Sequence, residues 1–387
     1  MAALPYCIHH SAGECGSCPL FEVPYAQQLS ARYDAAAATL AGVINREAWL
    51  APVTSPVIGI RNRAKMAVTG TITEPHLGLT TGVDLCDCQV YLADLRRALP
   101  AIKQFITMAQ LQPYDLTPSN EKITPAKARN RGELKYVILT AAPSSELMLT
   151  FVLRSTADLA RIKSRLPWLL STLPDLKVVS VNIHPEHKAT LIGDREIMLT
   201  DQTALPMDLG IVRLQLGPVS FFQTNTGIAE QLYRAAAAWV NELANIKSIW
   251  DLYCGVGGFA LSLAAPSRDI TGIELSPEAI ANAQAASQNH PSISFIDEDA
   301  TEFVLRHKTA TPDLVIVNPP RRGIGNTLAN WLNNSNVPYV LYSSCNTFTL
   351  ASDLTVLNNY QVIKAQLFDM FPNTAHSEVL TLLKRTS

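Results

Sequence analysis

A cysteine stands at the point where a buried strand reaches the surface. The stretch VPYVLYSSCN runs from Val337 to Asn346, and its apolar part ends in two serines before Cys345. At the carboxyl end of a strand in an open α/β sheet, a thiol faces the ligand crevice and can act as a nucleophile. On this stretch alone, a cysteine that only packs as a small hydrophobe is the simpler interpretation. The neighbouring motifs reverse that preference.

Residues suited to acid–base and anion chemistry are expected beside this thiol. The motif NPPRRG begins at Asn318 after the preceding strand, and Glu378 lies just before the last apolar run. These residues suit methylation of a pyrimidine at C5, because a thiolate that adds to C6 makes C5 nucleophilic. Cys345 fits the nucleophile, and Glu378 fits the base that removes the C5 proton. Asn318 can hydrogen-bond the pyrimidine edge, and Arg321 or Arg322 can stabilise negative charge on the ring or a phosphate.

A glycine-rich turn predicts a nucleotide-like ligand in the same crevice. In SIWDLYCGVGGFALSL, a buried strand runs into Gly255, Gly257 and Gly258 and then into a helix, so the backbone can approach a ligand closely. Glu274 ends the next strand, where a carboxylate can bind ribose hydroxyls, and Asp299 ends the third, where it can accept a hydrogen bond from an adenine amino group. The turn lacks the full G-x-G-x-x-G of a dinucleotide fold. The ensemble resembles an S-adenosylmethionine-dependent methyltransferase.

The elements that must position these residues alternate between strand and helix after about residue 205. Short continuous apolar strands separated by helices predict a doubly wound, Rossmann-like parallel sheet, and hence an α/β fold class. Between about 57 and 200 the runs are mostly β-branched or alternating, with helices near 93–110 and 156–172, which predicts an antiparallel α+β domain. We therefore expect a cysteine-rich segment at 1–24, an α+β domain at 25–205 and a methyltransferase domain at 206–387.

The composition is that of an ordinary soluble globular protein. Of the 387 residues, 48% are hydrophobic and 17% are charged, and the formal net charge of −2 gives no global basic footprint. That charge lowers the expectation of nucleic-acid binding without excluding it, because a local basic groove is sufficient. No apolar run reaches membrane-spanning length, and the start has no basic region with a long apolar core. We expect a cytoplasmic protein with no membrane association.

Five cysteines in the first quarter of the chain predict a metal site. Cys7, Cys15 and Cys18 give C-x7-C-x2-C, and the sequence LCDC adds Cys86 and Cys88. A reducing compartment makes a disulfide framework improbable, and a C-x2-C pair with outlying thiols is typical of metal binding. Four thiolates suit either zinc or a [4Fe–4S] cluster, and the spacing alone does not separate these two.

Five motifs in order resemble the RNA uracil-C5 methyltransferases along essentially the whole chain. They are FFQTN, DLYCGVGGF, NPPRRG, YSSCN and FDMFPNTAHSEVL. The resemblance implies that Cys345 of the SCN motif is the nucleophile and that Glu378 of the H-x-E element is the base that abstracts the proton. It also implies a covalent adduct between the cysteine and C6 of uracil.

The same resemblance assigns cofactor contacts. Gln223 of FFQ, Tyr253 of the glycine motif, Glu274 at the end of the second strand and Asn318 before PPR are the residues that correspond. Many relatives have aspartate before PPR, so the asparagine is a departure that puts a charge-based role at that position in doubt. The asparagine is also similar to the NPP[YF] signature of amino-group methyltransferases, but the arginine after the prolines and the downstream cysteine argue against that class.

For the metal site, the resemblance favours a [4Fe–4S] cluster. One branch of the family carries C-x(n)-C-x2-C followed by a distant cysteine, which assigns Cys7, Cys15, Cys18 and Cys88 as ligands and leaves Cys86 free. The cluster's role is expected to be structural or in RNA folding, because methyl transfer requires no electron.

In having its cysteines without a preceding N-terminal TRAM domain, the chain resembles the branch that methylates uridine 747 of 23S rRNA. We therefore expect 23S rRNA as the partner and no obligate protein partner. The alternatives are the same chemistry on tRNA or on another 23S rRNA uridine, a non-catalytic RNA-binding or RNA-folding factor, and an iron–sulfur redox protein. Two basic strips are candidate phosphate contacts, or solvated faces. They are RNRAK, with Arg61, Arg63 and Lys65, and the Lys122–Lys135 run, with Lys127, Arg129 and Arg131.

Overall fold

The computed structural model describes residues 6–115, 131–185, 191–307 and 311–386. Within these residues the α-helices are α1 Ile8–Ser11, α2 Tyr25–Leu40, α3 Ala93–Met108, α4 Leu159–Thr172, α5 Thr226–Asn241, α6 Gly258–Ser262, α7 Pro277–Ala286, α8 Ala300–Arg306, α9 Gly325–Asn334 and α10 Thr347–Val356. The strands are β1 Arg63–Gly70, β2 Pro75–Gly78, β3 Leu134–Ala141, β4 Leu147–Leu153, β5 Leu176–Ile183, β6 Arg195–Met198, β7 Leu205–Asp208, β8 Arg213–Leu216, β9 Ser248–Leu252, β10 Asp269–Glu274, β11 Ile293–Asp297, β12 Leu314–Val317, β13 Tyr339–Ser344, β14 Tyr360–Phe368 and β15 Glu378–Arg385.

A seven-stranded sheet in the order β11-β10-β9-β12-β13-β15-β14 carries the motifs of the C-terminal half. Strands β9 to β13 pair in parallel, which confirms the doubly wound sheet expected from alternating strands and helices. The strand order reverses at β9, so the glycine turn after β9 lies at the switch point where ligands bind.

One strand of this sheet, β15, is antiparallel to both neighbours. It pairs with β13 in the register Ser344↔Val379 and with β14 in the register Phe368↔Glu378. Because β15 runs backwards, its first residue, Glu378, lies at the same edge as the carboxyl ends of the parallel strands. A glutamate at the beginning of a strand thereby lies beside the crevice at the carboxyl ends of the parallel strands.

The six-stranded sheet in the order β2-β1-β3-β4-β5-β6 forms the second layer of the molecule. All its pairings are antiparallel except β4 with β5, which is parallel. Helices α3 and α4, at the two positions where the sequence predicts helices, pack on it through apolar residues such as Leu99, Ile102 and Leu169. The short hairpin β7–β8 links this sheet to the C-terminal half.

Helix α2 packs with the seven-stranded sheet. Its buried Ala36 and Leu40 share a core with Val315 and Val340, and the helix contacts α10. The chain then runs alongside β14, where Trp49 forms a bridge with Ala365. The division of the chain at residues 24 and 205 stays a prediction. No helix within the described ranges is long and apolar enough to cross a lipid bilayer.

Candidate active site

A cavity of about 590 Å³ opens at the carboxyl edge of the seven-stranded sheet. Its size suits a small-molecule ligand together with a reacting base. All six residues predicted for catalysis and cofactor binding line it, namely Gln223, Tyr253, Glu274, Asn318, Cys345 and Glu378. The lining also includes residues that the sequence analysis did not single out, such as Phe221, Phe222, Tyr233, Leu275, Glu298 and Phe371.

The glycine turn after β9 forms the floor of the cavity. Tyr253 adopts a left-handed conformation at φ 66°, and Gly257 follows at φ 84°. A Cβ at Gly258 would overlap the hydroxyl of Tyr233, so the helix can begin here only without a side chain. Gly255 donates its N–H to Glu274 Oε2 at 3.2 Å, which ties the turn to the end of β10.

Two acidic residues at strand ends are held by backbone donors. Glu274 Oε1 accepts from the N–H of Ser276 at 3.0 Å, just before α7 begins. Asp299 caps α8, since its Oδ1 accepts from the N–H groups of Thr301 at 2.8 Å and Glu302 at 3.0 Å. Both carboxylates line the cavity in fixed orientations, as the prediction of ribose and adenine contacts requires.

The Cys345 thiol is half-buried and responds to one acidic and one basic side chain. Burial and the charge of Glu378 raise the pKa of Cys345, whereas the charge of Arg321 and its hydrogen bond lower it. Asn346 connects these parts, because its Nδ2 donates to the Arg321 carbonyl at 3.0 Å and its Oδ1 accepts from the N–H of Phe348 at 3.1 Å. The asparagine thus caps α10 and fixes the arginine-bearing loop beside the thiol.

Glu378 is almost completely buried, with 1% of its surface exposed. Burial raises its pKa from an ordinary 4.5 to about 7, although a hydrogen bond from Ser343 lowers it. Ser343 Oγ donates to Glu378 Oε1 at 2.5 Å across the β13–β15 pair. A carboxyl group with a pKa near neutral can accept a proton during turnover and lose it again, which suits a general base.

Gln223 is positioned by a contact from the six-stranded sheet. Asn62, just before β1, donates through Nδ2 to the Gln223 carbonyl at 3.0 Å and to Thr226 Oγ1 at 2.7 Å. Next to it, Arg63 donates to the carbonyls of Ser220 at 2.8 Å and Pro218 at 2.5 Å. The FFQTN motif is therefore held by residues at the start of β1 in the six-stranded sheet, a role that the sequence alone did not indicate.

The basic strips differ from the sequence prediction. The guanidinium of Arg63 donates to backbone carbonyls. Lys135 is 1% exposed and donates to the His184 carbonyl at 2.6 Å, so neither side chain lies on a free surface. Alternation along β1 leaves Lys65 exposed. Lys122, Lys127 and Arg129 lie outside the described residues.

The N-terminal cysteines come together with one thiol of LCDC. Burial is the chief cause that raises the pKa of Cys18 to about 11, and the nearby thiols of Cys88, Cys15 and Cys7 contribute to that rise. The pKa of Cys86 rises chiefly through burial and through Asp84. Among the described residues, no three or more His, Cys, Asp or Glu side chains are arranged to hold a single metal ion.

Comparisons with known proteins match both the fold and the motifs. A family model described as tRNA (Uracil-5-)-methyltransferase matches residues 205–386. A 23S rRNA (uracil(747)-C(5))-methyltransferase from Edwardsiella ictaluri is 45% identical, with 99% of this chain and all of that protein covered. One of the same description from Escherichia coli is 46% identical over 97% of this chain and 99% of that protein. The chain belongs to the RNA uracil-C5 methyltransferase family.

A solved structure of another uracil-C5 methyltransferase has a similar fold. The Pyrococcus abyssi tRNA (uracil-54, C5)-methyltransferase in complex with S-adenosyl-L-homocysteine superposes with a TM-score of 0.75 at 25% identity. The match covers 95% of this chain and 85% of that one. S-adenosylmethionine is accordingly the cofactor of the methyltransferase described here, as the glycine turn and the acidic strand ends predict.

Proposed function

We propose that this methyltransferase transfers a methyl group from S-adenosylmethionine to C5 of a uridine in 23S rRNA, of the position-747 type, through a covalent adduct with Cys345. One observation carries the chemistry, namely that Cys345 and Glu378 line one cavity with the glycine turn. The substrate is supported by the curated relatives that match nearly the whole chain. That substrate is consistent with a cytoplasmic protein.

Each residue of the site has a role in this reaction. The Cys345 thiolate adds to C6 of uracil, and the electron pair moves onto the ring as an enolate, where the Arg321 cation can stabilise it. S-adenosylmethionine supplies the methyl group when bound. Glu378 then takes the proton from C5, and the C6–sulfur bond breaks as the C5–C6 double bond re-forms. The cysteine leaves as a thiolate, and Glu378 loses the proton to solvent before the next cycle.

The cofactor contacts follow from the lining of the cavity. We propose that Glu274 binds the ribose hydroxyls and that Tyr253 packs near the adenosine over the turn. Gln223 and Asn318, which both line the cavity, are proposed to contact the cofactor, and Asn318 also offers an amide to the uracil edge. With an amide, Asn318 can donate as well as accept, so recognition there is by hydrogen bonding and not by charge.

For the cysteines, we propose a [4Fe–4S] cluster bound by Cys7, Cys15, Cys18 and Cys88. The half-buried thiols of Cys18 and Cys88 both respond to those of Cys7 and Cys15, which supports a site with four thiolate ligands. Cys88 is supported as the fourth ligand because Cys7 and Cys15 contribute to its raised pKa, whereas the pKa of Cys86 is raised chiefly by burial and by Asp84. We propose a structural role for the cluster.

The RNA is proposed to enter between the two sheets. The target base must leave its stack to reach a thiol inside a crevice. The six-stranded sheet already contacts the FFQTN motif at the edge of the cavity, which supports its role as one wall of an RNA channel.

The experiment that tests this function follows methyl label from S-adenosylmethionine into unmodified 23S rRNA and unmodified tRNA, with the labelled nucleoside identified and mapped. The proposal expects 5-methyluridine at one 23S position and no label with Cys345→Ala. Label in tRNA would keep the chemistry and overturn the substrate. No label in either RNA, with RNA binding that survives Cys345→Ala, would favour a non-catalytic binding factor. Turnover that required reversible reduction of the cluster would favour a redox protein.

A further inference from the structure

Helix α2 carries a buried stripe of polar side chains that the reaction described above does not use. Tyr25, Gln28 and Arg32 stand at i, i+3 and i+7, a spacing that aligns them on one face of the helix. Gln28 is 2% exposed and Arg32 is 4% exposed. Burying such groups costs free energy unless each finds a partner, so their partners show what the stripe holds.

Each of the three side chains has a partner in one loop, residues 369–377, between β14 and β15. Gln28 Nε2 also donates to the carbonyls of Leu20 and Val23, both at 2.9 Å. Arg32 Nη2 donates to Asp369 Oδ2 at 2.8 Å, and its Nη1 donates to the Thr374 carbonyl at 2.9 Å. Tyr25 Oη donates to the same Asp369 oxygen at 2.7 Å and accepts from the N–H of Ser55. The buried pair of Arg32 and Asp369 therefore anchors the start of the loop.

The corner of the loop is held by Gln28. The N–H of Asn373 donates to Gln28 Oε1 at 2.9 Å, and Gln28 Nε2 donates back to Asn373 Oδ1 at 3.2 Å. Asn373 also receives the N–H of Leu20 at 3.1 Å and donates through Nδ2 to the Val57 carbonyl at 3.0 Å. Asn373 has φ 64°, a conformation that asparagine tolerates better than most residues. These bonds compensate for that conformation.

The loop ends one residue before β15, whose first residue is Glu378, and its Phe371 lines the cavity. We propose that the polar face of α2 is a positioning element for catalysis, in which Gln28, with Tyr25 and Arg32, fixes loop 369–377 and thereby the approach of Glu378 to the uracil held on Cys345. Gln28 touches no reacting atom and acts through Asn373. The inference rests on the proposed role of Glu378 as the base.

The test compares Gln28→Met, which keeps the side-chain length and removes its polar atoms, with Gln28→Glu, which keeps the acceptor for the Asn373 N–H beside Arg32. The matched control is Asn358→Ala, which removes an exposed amide–amide hydrogen bond with Asn333 before β14 begins. Kinetic constants for RNA and S-adenosylmethionine are measured from about pH 5 to 9, together with hydrogen–deuterium exchange of peptides covering 371–377 and the thermal midpoint.

Gln28→Met is expected to lower kcat about tenfold or more, with both KM values within about twofold, because a small displacement of a catalytic group is costly. The acid limb of its kcat–pH profile moves to lower pH, because a loosened loop admits water and the pKa of Glu378 falls toward its ordinary value. Tyr233 and Cys345 also respond to the charge of Glu378, but their pKa values are raised above their ordinary alkaline values. These two groups therefore affect only the alkaline limb of the profile. Gln28→Glu keeps the bond from the Asn373 N–H and loses the donor to the oxygens of Leu20, Val23 and Asn373, so it restores only part of kcat. Asn358→Ala changes neither limb of the pH profile.

Exchange in 371–377 that is the same in Gln28→Met and wild type would overturn the proposal whatever the activity. A loss of kcat with an unmoved acid limb, or one that simply follows the thermal midpoint, would also overturn it and leave Gln28 a stability residue. If the wild-type protein methylates no RNA, the proposed function fails, whereas the exchange experiment still decides whether α2 holds the loop.

Discussion

The buried charge of Glu378 should make the folded protein less stable at the pH values where Glu378 is ionised and can act as a base. Burial raises the pKa of this carboxyl group from 4.5 to about 7, so the folded chain holds the proton more tightly than the unfolded chain does. Below the unfolded value, both states are protonated and the group has no effect. As the pH rises from 4.5 to about 7, the unfolded chain releases its proton first, and the free energy of unfolding falls. Above about 7 the loss is complete.

The size of this effect follows from the two pKa values. Each tenfold difference in proton affinity corresponds to about 1.4 kcal/mol, so the full loss is about 3 kcal/mol, of which about 2 kcal/mol falls between pH 5 and 8. Glu378→Gln removes the charge, and the amide Oε1 can still accept from Ser343. The buried amide N–H groups add a cost of about 1–3 kcal/mol that does not depend on pH, so the slope and not the absolute stability is informative.

The assay is urea unfolding of wild type and Glu378→Gln at several pH values between about 5 and 8. The difference in unfolding free energy between the two should change by about 2 kcal/mol in favour of the variant as the pH rises. Glu47→Gln, at an exposed glutamate, serves as the matched control and should show no such trend. Parallel stability curves for wild type and Glu378→Gln would refute the assignment of a raised pKa.

The same proton governs turnover. If Glu378 must be ionised to accept the C5 proton, then kcat of the wild type should rise about tenfold between pH 6 and 8, because the ionised fraction rises from about 10% to about 90%. Glu378→Gln should lose product release and accumulate the covalent RNA adduct on Cys345, visible as a protein–RNA band on a denaturing gel. Normal release by the variant would show that another group removes the proton.

Three further outcomes are expected. Arg321→Ala should shift the alkylation of Cys345 by iodoacetamide to higher pH and slow it about tenfold near pH 7.5, because the cation that lowers the thiol's pKa is lost. Cys88→Ala should abolish the iron bound per chain while Cys86→Ala leaves it, as measured by a colorimetric iron assay; equal iron in both would exclude Cys88. Phe348, which is 75% exposed and lies three residues after Cys345, should stack on a base beside the target uridine. Phe348→Ala should then raise KM for RNA about tenfold, and Phe348→Tyr should not, because base–aromatic stacking is worth about 1–3 kcal/mol.

Most residues of the cavity could be predicted because they lie at the carboxyl ends of neighbouring parallel strands. In a parallel sheet, every strand ends at the same edge, so Tyr253, Glu274, Asn318 and Cys345 were expected together from their positions after apolar runs. Glu378 begins its strand, and its role as the base was predicted from the chemistry of C5 methylation and from the resemblance. Its place in the cavity depends on the reversed direction of β15, which alternation of apolar residues does not reveal.

Residues that act through contacts distant in the sequence could not be predicted in this way. Gln28 and Arg32 lie on a helix whose polar residues resemble a solvated face, and only tertiary contact buries them. Arg63 and Lys135 were expected on the surface as possible phosphate contacts, yet both bind backbone carbonyls. A charged side chain in a sequence indicates that a counter-charge or hydrogen-bond partner is needed, but not whether a protein carbonyl, water or RNA provides it.

The two glutamates of the cavity illustrate how one residue type takes two roles. Glu274 is partly open to solvent and receives the N–H groups of Gly255 and Ser276, which keep its carboxylate oriented as an acceptor toward hydroxyl groups. Glu378 has lost almost all contact with water, and only the Ser343 hydroxyl lowers its pKa, so it can be protonated near neutral pH. Each stands beside an apolar run in the sequence. In the proposed reaction, burial separates Glu274, the cofactor ligand, from Glu378, the base. In that same proposal, the loop that controls this burial and the helix that holds the loop contribute to catalysis.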